Sequence, residues 1–462
     1  MTMKKGLFLV WCLSGVAAGY AASGPLIAGK IIDTVVCKAD ASQSYALYIP
    51  VKHDKAPVTI VYCFDPHGSG VLPLRKYKAL ADAYGFVLVG SNNSKNGNDW
   101  NKTDNIWSCL WADTQNRLGM KPGRVYTCGF SGGAKVAGYL ALGHTVIKGV
   151  IADGAALPDG TPAGDFPFSF TAIAGEGDLN LTDIVAASNA LDKTRTRHHL
   201  LRFDGKHEWA TPACMRTAFA GLQLDAMRQG LMPRDEAFIN RFAETGKSRV
   251  EAYAQSNQWL KAGDECGLSL SYIDGLTPQA AWFKEKAAAL ARNPQYQQQQ
   301  RAQAQLLQTE ESAKARYMQR LQQADMPYWT NTVHDLQKRA RAKTAESPMC
   351  QRLLAWLSLV CYSYSNHFIS SNANNEAGYF VELYKLVDYS NSEAWYFSAI
   401  LHARIRQPQA TEGDLVKAAG YGFNDNARLE QQPEFRQLWD AAHLSAVEGR
   451  MRAQAMHVAA HP

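Results

Sequence analysis

Ser131, Asp178 and His207 are the residues of this chain whose types and order could do covalent acyl chemistry. A serine hydroxyl is a weak nucleophile and needs an adjacent base to take its proton. Histidine supplies that base near neutral pH, and a carboxylate on its far nitrogen holds the ring and stabilises its charged form. Ser131 lies in Gly129-Phe130-Ser131-Gly132-Gly133, a G-x-S-x-G pattern. The flanking glycines suit a turn too tight for side chains, with the hydroxyl lifted clear of a sheet. Asp178 closes Gly175-Glu176-Gly177-Asp178, and His207 lies in Asp204-Gly205-Lys206-His207-Glu208-Trp209. Serine, then acid, then histidine is the chain order that a strand-turn-helix nucleophile calls for.

Each role has competitors. Glu176, Asp153 and Asp183 compete for the acid, and His198, His199 and His144 for the base. A turn position just past a strand favours Asp178. His198 and His199 precede or begin a strand, and His144 follows the helix after the serine. Plainer readings also exist: Asp178 as a turn or N-cap residue before Leu179, His207 as a surface-loop histidine. The carbonyl under attack needs donors for its developing negative charge. The N–H of Gly132 is one. The second is expected from Asp65-Pro66-His67-Gly68-Ser69-Gly70, with Gly68 or Ser69 as donor and His67 shaping the loop.

Strands and helices must place these groups. Arg124 to Cys128 is β-branched and aromatic and reads as a strand into the serine turn, and Ala134 to Leu142 reads as a helix out of it. Val58 to Phe64 is a continuous apolar run of the kind buried in a parallel sheet. Further strands are predicted at Tyr45 to Pro50, Phe86 to Gly90, Ile147 to Ala152, Phe168 to Ala174 and His199 to Phe203, with helices between them. This alternation predicts a doubly wound, mostly parallel α/β sheet over residues 30–225, with loops at the carboxyl ends of its strands carrying the chemistry. From about Pro212 the pattern turns helical, so residues 226–462 are expected to form an all-α domain. Gln295 to Gln308 is glutamine-rich and reads as a solvated helix face. Around 380–440, Ala399, Ala403, Ala418 and Ala419 alternate with aromatics such as Tyr396 and Phe423, resembling a tetratricopeptide-type helical hairpin.

On His67-Gly68, Gly129 to Gly133, the Asp178 turn and Gly205 to Trp209, the first half resembles the α/β-hydrolase superfamily. The nearest branch is that of exported esterases like polyhydroxybutyrate depolymerase and feruloyl esterase. The resemblance implies hydrolysis of carboxylic esters through an acyl-serine, with Ser131 as nucleophile, His207 as base, Asp178 as orienting acid, and no metal or other cofactor. Two features depart from the branch: Lys206 interrupts the glycine-rich histidine loop, and a long helical half follows. The loop from Ser91 to Lys102 is rich in asparagine and contains Trp100. Amides bond hydroxyls and an aromatic face stacks on sugars, so Asn92, Asn93, Trp100 and Trp209 are candidate contacts for a small-molecule or carbohydrate ester. Two other readings are a serine peptidase of the same fold and a non-catalytic scaffold that binds a protein partner through its helical half.

The bulk composition narrows the field. The chain has 462 residues, 48 basic and 42 acidic, and 46% are hydrophobic. The small, dispersed charge excess gives no footprint for nucleic acid. Lys4 and Lys5, the apolar run Leu7 to Leu13 and the small residues up to Ser23 read as a signal peptide over residues 1–23. Cleavage after Ala21 or Ser23 fits. The run is short of the ~20 residues a bilayer span needs, so an exported, periplasmic or secreted protein without stable membrane insertion is expected. Beyond Cys12 there are eight cysteines and no C-x-x-C pair. An exported chain can form disulfides, but spacing alone assigns none, and Cys63 and Cys128 lie in apolar strand runs.

Overall fold

The computed structural model describes residues 26–52, 58–118, 122–321, 323 and 325–460. The signal-peptide reading of residues 1–23 lies outside them. The first half alternates strand and helix: β1 (Ile31–Val36), β2 (Ser44–Tyr48), β3 (Val58–Phe64), α1 (Val71–Tyr84), β4 (Phe86–Ser91), α2 (Trp100–Leu118), β5 (Pro122–Phe130), α3 (Gly132–Gly143), β6 (Ile147–Asp153), β7 (Ser169–Gly175), α4 (Leu181–Leu191), β8 (His198–Phe203) and α5 (Pro212–Arg228).

The strands form one eight-stranded sheet in the order β1-β2-β4-β3-β5-β6-β7-β8. The β1–β2 and β2–β4 pairs are antiparallel, and every pair from β4 to β8 is parallel. This is the doubly wound, mostly parallel α/β sheet that the alternation of strands and helices predicts. Burial on both faces explains the continuous apolar character of β3, whose residues are all buried. Val61 and Cys63 point into a core shared with α1 and α5, while Ile60, Tyr62 and Phe64 face α2, α3 and α4. The chain leaves β3 to make β4 on one side, then crosses back to make β5 on the other. A crevice therefore opens beyond the carboxyl ends of β3 and β5, where doubly wound sheets place ligands.

The remainder is helical: α6 (Glu236–Gln255), α7 (Trp259–Ile273), α8 (Ala280–Ala291), α9 (Pro294–Arg320), α10 (Met326–Arg341), α11 (Ser347–Ser370), α12 (Asn374–Val387), α13 (Ser392–Arg404), α14 (Pro408–Gly420), α15 (Asn426–Gln431), α16 (Pro433–Leu438) and α17 (Ala441–Ala460). Ile239, Val250, Cys266, Tyr272 and Phe283, on α6 to α8, belong to the same hydrophobic core as Tyr77 and Phe219 beside the sheet. A second core runs from Ala313 to Met451. The change from one core to the next thus falls after Leu290, well past the compositional shift at about Pro212. Within the second core α11 packs on α12 and α13 on α14. The eight described cysteines are free thiols, and all but Cys214 are buried. Among the described residues no helix is long and apolar enough to cross a membrane.

Candidate active site

Strand β5 ends at Phe130, and Ser131 occupies the apex before α3 with φ 53° and ψ −120°. A positive φ on a residue with a side chain is strained and persists only where its surroundings enforce it. They do so here through close packing. A Cβ on Gly129 would lie 2.0 Å from the Gly133 carbonyl oxygen, and one on Gly133 would lie 2.0 Å from that of Phe64. The Ser131 N–H donates to the Asp153 carbonyl at 2.8 Å, tying the apex to β6.

The structure brings the three candidate side chains together from three loops. His207 Nε2 is 2.9 Å from Ser131 Oγ, and His207 Nδ1 is 2.9 Å from Asp178 Oδ1. With the proton on Nδ1, the ring donates to Asp178 and its Nε2 accepts from the serine hydroxyl. The ring packs 4.7 Å from that of Phe130, and its side chain is 25% exposed. Asp178 is buried; its Oδ1 also accepts the Asn180 N–H at 2.8 Å. The residues after β7 follow a tight turn, with the Asp178 N–H donating to the Gly175 carbonyl at 3.0 Å. Lys206 is not among the residues with positive φ, so the interruption of the histidine loop leaves its backbone unstrained.

The competing residues are engaged elsewhere. Glu176 pairs with Arg202 at 3.0 Å. His198 pairs with Asp192, and His199 is buried between Asp225 and Ser271. His144 caps the end of α3 beside Trp107. Asp183 lies in the first turn of α4. Asp153 is buried at the end of β6, and its Oδ2 accepts the Ala210 N–H from the histidine loop at 2.7 Å. Burial, reinforced by the negative charge of Asp178, pushes its carboxyl well above the usual carboxylate range.

The β3–α1 loop differs from expectation. The Gly68 N–H donates to the Asp65 carbonyl at 3.1 Å, the Ser69 N–H reaches Asp65 Oδ1 at 3.4 Å, and the His67 N–H reaches the same oxygen at 2.9 Å. Gly68 and Ser69 therefore turn their amides into their own loop. Asp65, just past β3, organises that loop: its carboxylate accepts from the His67 and Ser69 N–H groups and its backbone carbonyl from that of Gly68. Burial opposes ionisation of Asp65, but donors from His67 and Trp209 outweigh it and hold the carboxyl below its ordinary range. In return, the hydrogen bond to Asp65 raises the His67 imidazole above its usual value.

The Gly132 side of the site has a neighbour that spacing did not single out. A Cβ on Gly132 would lie 1.9 Å from Asn96 Oδ1. The Asn96 backbone N–H is anchored on the Pro66 carbonyl at 2.8 Å, and His67 bridges to Lys95. The asparagine-rich loop thus closes on the Ser131 turn through Asn96. The neighbouring asparagines are structural. Asn92 donates to the Asp33 carbonyl, and Asn93 binds the backbone of Ser42 and Ser44, so both fasten the loop to the β1–β2 edge. Trp209 is buried, with its indole N–H on Asp65 Oδ2 at 2.9 Å. Of the four candidate substrate residues, Trp100 alone presents aromatic surface: it stacks on Tyr139 and is 42% exposed. The spacing of Asn96 carries no signal; only its place beside a loop bound to Pro66 identifies it.

Solved structures similar to part of this chain include esterases and serine hydrolases. An esterase from the archaeon Pyrobaculum calidifontis superposes with a TM-score of 0.35 and 14% identity, covering 44% of this chain and 85% of that one. The fluorophosphonate-binding serine hydrolase FphF of Staphylococcus aureus gives a TM-score of 0.35 and 12% identity, covering 42% and 98%. A ferulic acid esterase gives 0.32 and 15%, covering 42% and 96%. No family model matches the chain, and no curated protein matches it.

Proposed function

We propose that this chain is an exported serine hydrolase that cleaves carboxylic esters. The observation carrying this reading is the unbroken relay from buried Asp178 through His207 to a strained, partly accessible Ser131, with both hydrogen bonds at 2.9 Å. In the first half-reaction Ser131 Oγ bonds to the ester carbonyl carbon while its proton passes to His207 Nε2. The carbonyl oxygen takes the negative charge and meets the Gly132 N–H at the start of α3. Collapse breaks the bond to the alcohol oxygen, which leaves with the proton from His207. Water then repeats the sequence on the acyl-serine, giving the acid and free Ser131. Every step uses side chains, the Gly132 backbone N–H and water.

The alcohol side of the substrate is read as a carbohydrate or a similar hydroxyl-rich group. Support comes from exposed Trp100 and from Asn96, whose side chain is exposed at the site mouth. Export rests on the N-terminal pattern of Lys4, Lys5 and the apolar run that follows. The test is hydrolysis of short p-nitrophenyl esters, acetylated oligosaccharides and feruloyl esters by the parent and by Ser131→Ala, with fluorophosphonate labelling of Ser131 alongside. Equal hydrolysis by the two proteins refutes the mechanism. Absence of both labelling and turnover in folded parent favours a scaffold, and preference for amide substrates favours a peptidase.

A further inference from the structure

The helical half reaches the catalytic acid. Arg352, on α11, is buried and donates from Nη1 to the Glu176 carbonyl at 2.5 Å, two residues before Asp178. The rest of its guanidinium is held by Glu310 of α9, which is fully buried: Nε lies 2.9 Å and Nη2 2.6 Å from Glu310 Oε2. Lys314 adds a second cation to Glu310 at 3.4 Å. The neighbouring Gln351 packs on the same turn, its Oε1 2.7 Å from where a Cβ on Gly177 would stand. The Glu176 side chain is tethered too, through Arg202, which also pairs with Asp264 of α7 at 3.1 Å.

On its other side the acid turn is bonded to the histidine loop. The Gly177 N–H donates to the Gly205 carbonyl at 2.8 Å, and the Glu176 N–H donates to the Phe203 carbonyl at 2.9 Å. The turn carrying Asp178 is therefore gripped between the loop that carries His207 and a helix about 170 residues further along the chain. A free turn of this kind, Gly-Glu-Gly-Asp, would be mobile, since glycine leaves the backbone many conformations. A buried guanidinium makes an unusual backbone clamp because removing it from water is costly unless it is paired and hydrogen-bonded. Here Glu310 uses two of them and the Glu176 carbonyl a third.

We propose that Arg352, held by Glu310, is a positioning residue for catalysis: it fixes the acid turn so that Asp178 meets His207, which makes α9 and α11 a working part of the active site. The proposal rests on the Ser131 mechanism above. It gives the helical half a function, and it means that whatever shifts α11 changes turnover without touching substrate.

The test compares the parent with Arg352→Met/Glu310→Met, which removes the pair without leaving a lone buried charge, and with Arg352→Lys, which keeps the charge but gathers its donors on one nitrogen. Three readouts are taken: thermal unfolding, kcat and KM on p-nitrophenyl acetate, and hydrogen exchange at the Gly177 and Asp178 amides. The double variant is expected to fold, to lose about tenfold or more in kcat with KM within twofold, and to exchange those amides faster, because small misplacements near a reacting group are costly. Arg352→Lys should recover much of the loss. A folded double variant with parental kcat and parental exchange overturns the proposal, as does an equal rise in KM and fall in kcat. If the parent itself turns over no ester and Ser131 is not labelled, the mechanistic reading fails. The exchange measurement still decides the clamp, since protection of Gly177 and Asp178 does not depend on turnover. Should the double variant not fold, Arg352→Lys alone decides: its one nitrogen cannot span Glu310 and the Glu176 carbonyl as three do, so parental kcat and exchange refute the clamp, and partial loss in both supports it.

Discussion

Replacing Asp178 by asparagine separates charge from geometry at this site. One oxygen, Oδ1, accepts both the Asn180 N–H and the His207 Nδ1–H. Asparagine can keep that oxygen in place and put its amide nitrogen where Oδ2 stands, an atom with no partner among the described residues. The ring then keeps its tautomer and loses only the negative charge opposite the imidazolium that forms in the transition state. Opposite charges about 4 Å apart interact by about 4 kcal/mol at an effective dielectric constant near 20. Asp178 is 1% exposed, but the His207 side chain is 25% exposed, so water screens part of this. A loss of about 2 to 4 kcal/mol corresponds to a fall in kcat of about 30-fold to about 1,000-fold. The assay is kcat and KM on p-nitrophenyl acetate near pH 8, with thermal unfolding in parallel; KM should hold. Asp178→Ala, which also frees the ring to rotate, should lose more. If Asp178→Asn folds and keeps kcat within threefold of the parent, Asp178 is not the charge that catalysis uses.

The remaining predictions concern neighbouring groups. Gly133→Ala places a Cβ 2.0 Å from the Phe64 carbonyl oxygen, a backbone atom that cannot yield, so both stability and turnover should collapse; soluble, active Gly133→Ala would contradict the elbow packing. Gly132→Ala meets Asn96 Oδ1 at 1.9 Å, the exposed tip of a side chain that can swing away, so it should fold with a Tm near the parent's yet hydrolyse esters at least tenfold more slowly, as kinetics beside a melting curve will report. For Asp153 the folded carboxyl is raised above its unfolded value, so its contribution to stability is complete at acid pH and is lost as pH rises towards the folded value. Asp153→Asn keeps the acceptor for Ala210 and does not titrate; the stability difference, parent minus variant, should fall by about 1.4 kcal/mol per pH unit above about pH 4, and a difference flat in pH between 4 and 7 refutes it.

The α/β half was legible because its signals are local. The apolar run at Val58–Phe64, the glycines around Ser131 and the strand-end positions of Asp178 and His207 each reflect steric or burial demands that act on neighbouring residues. The oxyanion loop was not legible in the same way. Glycines at Gly68 and Gly70 signalled backbone freedom, but Asp65 at the strand end captured the amides, and its reach depends on a carboxylate pointing inward beside Trp209. Asn92 and Asn93 have the chemistry to bind a sugar and spend it on the β1–β2 edge, while Asn96 in the same loop approaches the nucleophile. The clamp by Arg352 had no sequence signal, since it joins groups 176 residues apart through a helix whose docking is set by tertiary packing.

Residue types alone would have nominated a second triad. Ser271 Oγ lies 2.8 Å from His199 Nδ1, and His199 Nε2 lies 3.0 Å from Asp225 Oδ2, distances equal to those at Ser131 within 0.1 Å. Three physical differences make that group a structural joint. The Ser271 hydroxyl donates to the Leu268 carbonyl at 2.8 Å within α7, so its proton is already placed. His199 is fully buried and lies flat against Tyr272 at 3.7 Å, leaving no path for an ester, and burial lowers its imidazole below the usual value, against taking up a proton. Ser271 also sits in a regular helix, where the backbone N–H groups are used by the helix and none faces the hydroxyl as an oxyanion donor. Ser131 differs on every count: it is at a strained apex, its base is partly open to solvent, and it stands at a helix N-terminus whose first N–H groups have no partner in the helix. What distinguishes the nucleophile is therefore the backbone that presents it, which is why the glycines around Ser131 predict chemistry better than the histidine or the carboxylate does.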